Sequence, residues 1–409
     1  NNSPLVIAFL LGSFTVTAQE TQKLDVKQAL EIGLKNNQNI QASELEVKMQ
    51  TQMQKTAFEL PKTELLGTFG QINSQAQDKN FNISQSFNPF QISAKRNLLK
   101  EYSNASATKL GVSKQEVTYS IRQSWNTLLY YEKENDVLEK QNVVMQKFVK
   151  SANLKFQTGE TNALEKTIAS AKQQELEQKI KQNKAQIAIE KSKLKVILDL
   201  KTDFIAIDTS FVPYPAMAKV DSSMVKQNPI VQLANQQVQI AQAIHKVEKS
   251  ALSPDFSVGY FLQSITGNQD VNGTSTYYNN SPQFQGFTVG IAVPLFAGSN
   301  IAKAKAAKTN IEREQKNADY INQQFKSHLE QQSEQLTTYG SLIEYYKNTA
   351  MPNANLIIKN ATKGYQNGDI SYVEYVQSIE TASQIQLNYY EAIYNYNQTI
   401  ITIQYSINQ

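Results

Sequence analysis

Two stretches of this chain are too long to fold inside a globular domain. About 70 residues separate Pro89 from Gly159 and about 74 separate Pro294 from Gly368, so at ~1.5 Å per residue a helix through either would reach on the order of 100 Å. The apolar positions inside them recur at intervals of seven. Ala304, Ile311, Ala318 and Phe325 form one such series, and Leu329, Leu336, Ile343 and Ala350 another. Ile180, Ile187 and Leu194 continue the pattern beyond Gly159. A strict seven-residue repeat with polar residues between predicts a narrow coiled-coil seam rather than a broad globular face.

Both stretches end in the same punctuation. "LKFQTGETNALEKTIAS" and "KGYQNGDISYVEYVQS" each run through an aromatic, Gln, a polar residue, Gly and an acid, with a second acid six residues after the Gly. A returning helix of about 41 residues follows each Gly and would reach roughly 60 Å, while a helix of about 30 residues before Pro61 or Pro254 would supply roughly 45 Å more. Two shorter helices stacked end to end would then match the long one.

The reversals are one of several echoes. Leu60-Pro61 is matched by Ser253-Pro254, "SFNPF" by "AVPLF", and "NNQNIQ" by "VKQNPIVQ", in the same order and at slowly drifting offsets. Such pairs predict a duplicated unit. The first repeat is read over 19–200, with strands at about 62–73 and 81–90 and a turn at 159. The second is read over 230–409, with strands at about 255–266 and 284–296 and a turn at 368. Residues 201–229 are an equatorial linker between them.

The strands are recognised by alternation. Phe287, Val289, Ile291, Val293 and Leu295 share one face, and Gly286, Thr288, Gly290 and Ala292 share the other. Phe256, Val258, Tyr260 and Leu262 alternate with Asp255, Ser257, Gly259 and Phe261. In the first repeat Phe81, Ile83 and Phe87 alternate with Asn82, Ser84, Ser86 and Asn88. Aligning Pro89 with Pro294 makes the faces disagree by one residue, which predicts a local shift. The polar segments "SQAQDKN" and "GNQDVNGTSTYYNNSP" between the strands read as exposed loops. No helix pattern is left over to cover the apolar faces. A sheet of this kind gains a solvent for its apolar side, and loses its edges, by closing into a barrel in lipid with copies from other protomers.

Composition narrows the function. Gly and Pro number only 15 and 10, and there is no Cys, which removes disulfides, thiol nucleophiles and Cys-based zinc sites. The two histidines, His245 and His328, are far apart and read as helix-surface residues rather than ligands. A net charge of +4 without basic clusters gives no nucleic-acid footprint. The absence of a phosphate-binding loop and the scattering of the acids argue against an enzyme. At the start, the apolar run from Pro4 to about Ala18 is too short to span a bilayer but suits a signal peptide, read as 1–18, with Val16-Thr17-Ala18 as a small-residue cleavage site.

Residues 349–398, "TAMPNANLIIKNATKGYQNGDISYVEYVQSIETASQIQLNYYEAIYNYNQ", resemble the closing signature of TolC-like outer-membrane efflux proteins, and "VPLFAGSNIAKAKAAK" resembles that family's strand-to-helix entry. The duplicated plan extends the resemblance over essentially the whole mature chain. It implies a mainly α fold with a transmembrane β-barrel portion: a homotrimer whose protomers each give four strands to a twelve-stranded barrel and helices to a periplasmic tunnel. It also implies a bacterial outer-membrane location with most of the mass in the periplasm, and no catalysis and no cofactor. The expected role is a passive exit duct for drugs or heavy-metal ions, working with a periplasmic adaptor (membrane fusion) protein and an inner-membrane transporter of the RND type. "GDISYVEYVQ" leans toward the heavy-metal branch. A periplasmic adaptor or a coiled-coil scaffold would share the helices, but neither accounts for the duplication together with the paired strands.

In that family a Tyr before the turn Gly and acids after it form the constricted tunnel entrance. Those features fall on Tyr365, Gly368 and Glu374, with Gly159 and Glu165 at the equivalent places in the first repeat and Asp369 and Glu160 as extra acids beside the turns. Their other reading is helix capping and compensation of the helix dipole. Ile370 stands where better-known members carry Arg, and Gln377 where they carry a further acid, so a lock built on that Arg and a deeper acidic ring are not expected. Pro352 removes a backbone hydrogen bond inside the second long helix and should bend it, as a packing kink or a hinge.

Overall fold

The computed structural model describes residues 22–408 apart from 74, 209, 218 and 219, so the expected signal segment lies outside the described residues. In chain order the elements are β1 (Gln22–Leu24), α1 (Val26–Asn36), α2 (Gln38–Met53), β2 (Glu64–Gly70), β3 (Asp78–Phe87), α3 (Pro89–Gln157), α4 (Ala163–Leu198) and β4 (Phe204–Ala206). There follow α5 (Pro229–Ser250), β5 (Asp255–Gln263), β6 (Gly267–Val271), β7 (Thr274–Tyr278), β8 (Phe284–Ala292), α6 (Gly298–Tyr345), α7 (Met351–Asn367) and α8 (Tyr372–Ile407). The protein is mainly helical, and α3 alone holds 69 residues. Every member of the three heptad series is buried or half-buried, with Leu329 and Leu194 fully enclosed. Among the described residues no helix is long and apolar enough to cross a membrane.

The chain forms two compact units, each assembled from three separate stretches. The first takes residues up to 37, 117–216 and 335–401. At its centre Trp125 is 1% exposed, stacks on Phe204 at 5.8 Å and donates from Nε1 to Asp208 Oδ2 at 2.8 Å. The same carboxylate accepts the backbone N–H of Val26, tying the start of α1 to α3 and to the segment after β4. Gly33 lets α1 approach closely, since a Cβ there would lie 2.4 Å from Ile121 Cδ1. The linker contains more order than its composition suggests, because β4 pairs in parallel with β1. The first-repeat helix is interrupted at Asn37, whose backbone leaves the helix while its Nδ2 donates to Ile197 O at 2.8 Å. An Asn side chain that finds a partner outside the helix competes with the helical ladder.

The second unit holds the sheet, in the order β2-β3-β5-β8 and antiparallel throughout. Its register settles the one-residue disagreement between the repeats. Ile83 pairs Tyr260, which pairs Phe287, and Phe87 pairs Phe256, which pairs Ile291. Phe87 lies two residues before Pro89, whereas Ile291 lies three before Pro294. The slack is taken up after β8: a single residue, Asn88, joins β3 to α3, while Val293 to Ala297 join β8 to α6. One face of the sheet therefore carries Leu65, Phe69, Phe81, Ile83, Phe87, Phe256, Val258, Tyr260, Leu262, Phe287, Val289 and Ile291. None of the described residues of the unit covers its outer strands, where Leu65, Phe287 and Val289 are 78%, 85% and 80% exposed.

The longer segment read as a loop is instead a hairpin, β6 to β7. Asn272 and Gly273 at its tip have φ of 53° and 79°, the left-handed pair that a two-residue type I′ turn requires.

Candidate functional site

Each reversal is built from a left-handed glycine followed by a capped helix. Gly159 has φ +78° and Gly368 has φ +80°, a region where L side chains are strained. The carbonyls that end α3 and α7 are taken up locally. Glu160 N donates to Lys155 O at 2.8 Å, and Asp369 N donates to Gly364 O at 2.8 Å. After the first turn Asn162 caps α4 by accepting from Glu165 N, and the Thr161 hydroxyl donates to the Glu165 carboxylate. After the second turn Ser371 and Glu374 form a reciprocal capping box: Glu374 N donates to Ser371 Oγ at 3.2 Å, and Ser371 N donates to Glu374 Oε2 at 2.7 Å. The Ser371 backbone N–H, with its hydroxyl adding to the effect, holds the Glu374 carboxyl below its ordinary value. Of the two acids six residues past the glycines, Glu374 thus caps its helix, whereas the Glu165 carboxylate is held by the Thr161 hydroxyl. Of the acids beside the turns, Glu160 accepts from the Thr158 hydroxyl at 3.1 Å.

Tyr365 belongs to a packed aromatic cluster. Its ring stacks on Tyr375 at 5.0 Å and meets Tyr372 edge-on at 4.9 Å. Tyr372 stacks in turn on Phe148 at 4.3 Å and donates its hydroxyl to Val144 O at 3.2 Å. Burial raises the Tyr372 phenol well above its ordinary value. Sequence reasoning singled out Tyr365 but missed Phe148, Tyr372 and Tyr375. The available signal was the Tyr-x-x-Tyr spacing in "SYVEYV", which puts two rings on one helical face.

The two reversals meet at a groove of about 320 Å³ lined by Phe148, Asn162, Leu164, Glu165, Ile168, Lys172, Val373, Val376 and Gln377. Glu165 lines it, whereas Glu374 is turned to its own cap. Farther along the same helices Lys172 Nζ meets Glu380 Oε2 at 2.6 Å, a link from α4 to α8 that the sequence did not disclose.

Pro352 occupies the first turn of α7, directly after a π-helical turn at Tyr346–Ala350. There Met351 N donates to Tyr346 O, five residues back. Widening the ladder in this way accommodates a residue that has no N–H and whose ring crowds the carbonyl four residues earlier. His245 places Nδ1 3.0 Å from Ala304 O, a packing contact between α5 and α6.

No protein-family sequence profile matches the chain, and no curated protein matches it. Solved structures do. CusC, studied for conformational changes accompanying folding and transmembrane channel formation, superposes with a TM-score of 0.76 at 16% identity, over 95% of this chain and 93% of that one. The chain has the fold of TolC-like outer-membrane channels. The TolC-like fold is seen also in the CmeC outer membrane channel of Campylobacter jejuni, with a TM-score of 0.75 at 13% identity over 93% of this chain and 85% of that one. The MtrE outer membrane channel of Neisseria gonorrhoeae, in its open state, matches at 0.73 and 10% identity over 93% and 88%.

Proposed function

We propose that this protein is the outer-membrane exit duct of a tripartite efflux system, a passive channel without enzymatic activity. Three copies close their four-stranded sheets into a twelve-stranded barrel, and their helices form a periplasmic tunnel. One observation carries the reading: a sheet with an exposed apolar face, a polar opposite face and outer strands β2 and β8 that have no further neighbour among the described residues. Such a sheet in water leaves its greasy side and both edges unsatisfied; barrel closure in lipid removes all three liabilities. The likeness to CusC, CmeC and MtrE supports it. A periplasmic adaptor and an inner-membrane transporter supply the energy and the choice of cargo, drugs or heavy-metal ions.

The test is to extract the full chain from outer membranes in detergent, measure its mass and record it in planar bilayers. A conducting trimer is expected; a soluble monomer without bilayer activity overturns the reading.

Within that duct the reversals carrying Gly159 and Gly368 form the tunnel entrance, with Tyr365, Glu160, Glu165, Asp369 and Glu374 around it, and the π turn before Pro352 is its hinge. Three copies of each acid around an axis favour cations. Neutralising Glu374 and Glu165 together is expected to lower cation selectivity measured as a reversal potential. Unchanged selectivity in an intact trimer assigns both to capping alone. Pro352→Ala is expected to shorten open events, and unaltered gating removes the hinge.

A further inference from the structure

Where α3 and α4 run side by side in the first unit, one buried amide is only half satisfied. Asn183 on α4 is 5% exposed, and its Nδ2 donates to Glu134 Oε2 on α3 at 2.8 Å. Its Oδ1 is buried with no hydrogen-bond partner. Turning the amide over would set oxygen against carboxylate, so the orphan is the oxygen. Buried polar atoms are nearly always bonded, and this one lacks a donor.

The acid beside it lacks a cation. Lys184 Nζ reaches Glu139 at 2.7 Å and Lys191 Nζ reaches Glu132 at 3.4 Å, so ion pairs join the same two helices through the acids before and after Glu134. Among the described residues no Lys or Arg pairs with Glu134 itself. The charge that faces it from α8 is another acid, Glu391. Tyr130 and Tyr131 on α3, Tyr394 on α8 and, on α4, Glu190 with Lys193 Nζ at 2.6 Å complete the titratable surroundings. Burial pushes the Glu134 carboxyl above its ordinary value of 4.5, and Glu391 pushes the same way, against the Asn183 hydrogen bond.

A carboxyl that takes up a proton becomes a donor while its second oxygen goes on accepting. It then offers the O–H that Asn183 Oδ1 lacks. We infer that Glu134 and Asn183 form a proton-operated latch between α3 and α4, in which proton uptake turns a single hydrogen bond into a reciprocal acid–amide pair. Glu134 lies 25 residues before Gly159 and Asn183 24 after it, so the latch sits at one level of the first arm, about 37 Å behind its turn. It lies within one chain and needs no second copy. An acid whose folded pKa is raised adds stability that is fully present below the unfolded value and is lost as the pH rises through the folded one. The latch is therefore closed at pH 4.5 and open well above it.

The experiment is hydrogen exchange of the full chain in detergent at pH 8 and pH 4.5, corrected for intrinsic rates, read at the amides of residues 130–138 and 179–187. Wild type is expected to exchange there about fivefold more slowly at pH 4.5, the ratio of one added hydrogen bond. Glu134→Gln carries an N–H in place of the acid proton, so it should show the slow rate already at pH 8 and no change on acidification. Glu134→Met is neutral but cannot bond the amide, and should exchange about fivefold faster than Glu134→Gln at both pH values. Wild-type exchange that does not slow in acid, or a gain in acid that persists in Glu134→Gln, overturns the latch. Equal protection in Glu134→Gln and Glu134→Met also overturns it, because burial of the charge alone would then account for the pH dependence.

Discussion

The two reversals share a plan residue for residue and differ in how firmly the plan is fastened. Three residues before the glycine stands Phe156 in one and Tyr365 in the other; four after it, Ala163 and Tyr372; six after it, Glu165 and Glu374. In the first turn no ring waits at position 163, so Phe156 stays 39% exposed, with Lys166 Nζ 4.9 Å above it. In the second, Tyr372 fills that position and gathers Tyr365, Tyr375 and Phe148 around itself. The helices leading in differ in the opposite sense. α3 runs unbroken to its turn, whereas α6 gives way to a π turn before α7. The second arm therefore pairs a tightly packed tip with a helix interrupted by a π turn.

The largest test of that contrast is Tyr372→Ala, which makes the second turn resemble the first. Losing a buried ring and its hydrogen bond should destabilise the unit by about 3 kcal/mol, read as a lower denaturation midpoint. It should also speed hydrogen exchange in the first turns of α8 more than in those of α4. Equal acceleration in both would erase the difference drawn here. Gly368→Ala and Gly159→Ala come next. Both glycines face open space, so only backbone strain is at issue, and each variant should lose about 1 kcal/mol of stability. A much larger loss at one turn would show that the backbone geometry, and not the aromatic clamp, separates the two. A smaller effect is expected from Lys172→Met, which breaks the partly exposed link to Glu380 and should change stability by less than about 1 kcal/mol.

What could be read beforehand followed from how locally each feature is encoded. The helical class, the coiled-coil seams and the glycine turns depend on residues within a few positions of one another, so periodicity and punctuation expose them. The alternation of β5 and β8 is equally local, and it located the apolar face correctly. The single residue after β3 and the five after β8 were visible only as an unexplained offset, because register is fixed by cross-strand partners such as Ile83 and Tyr260 that lie far apart in the chain. Hairpin β6–β7 was hidden by its polar composition, although Asn272-Gly273 is the strongest short turn signal available. At the site, capping by Asn162, Ser371 and Glu374 was foreseeable from spacing. The Tyr372 clamp and the Lys172–Glu380 link join separate helices, which no single-helix pattern discloses.

The finest test concerns protonation at the second turn. Glu374 accepts the backbone N–H of Ser371 while its own N–H donates to Ser371 Oγ, and its carboxyl is held below its ordinary value of 4.5, first of all by that backbone N–H. A carboxyl whose folded pKa is depressed adds stability that is fully present above the unfolded value and is lost as the pH falls through the folded one. The second turn should therefore hold its cap at neutral pH and down to 4.5, then loosen on further acidification. Hydrogen exchange of the amides of residues 371–375, corrected for the intrinsic pH dependence of exchange, should lose protection over that acid range. Glu374→Gln removes the titrating group while leaving an oxygen that can still accept the Ser371 backbone N–H, so in that variant the extra acid sensitivity should vanish. An unchanged acid profile in Glu374→Gln would mean that the Glu374 carboxylate is not what fastens the start of α8, and would leave the aromatic clamp as the whole difference between the two turns.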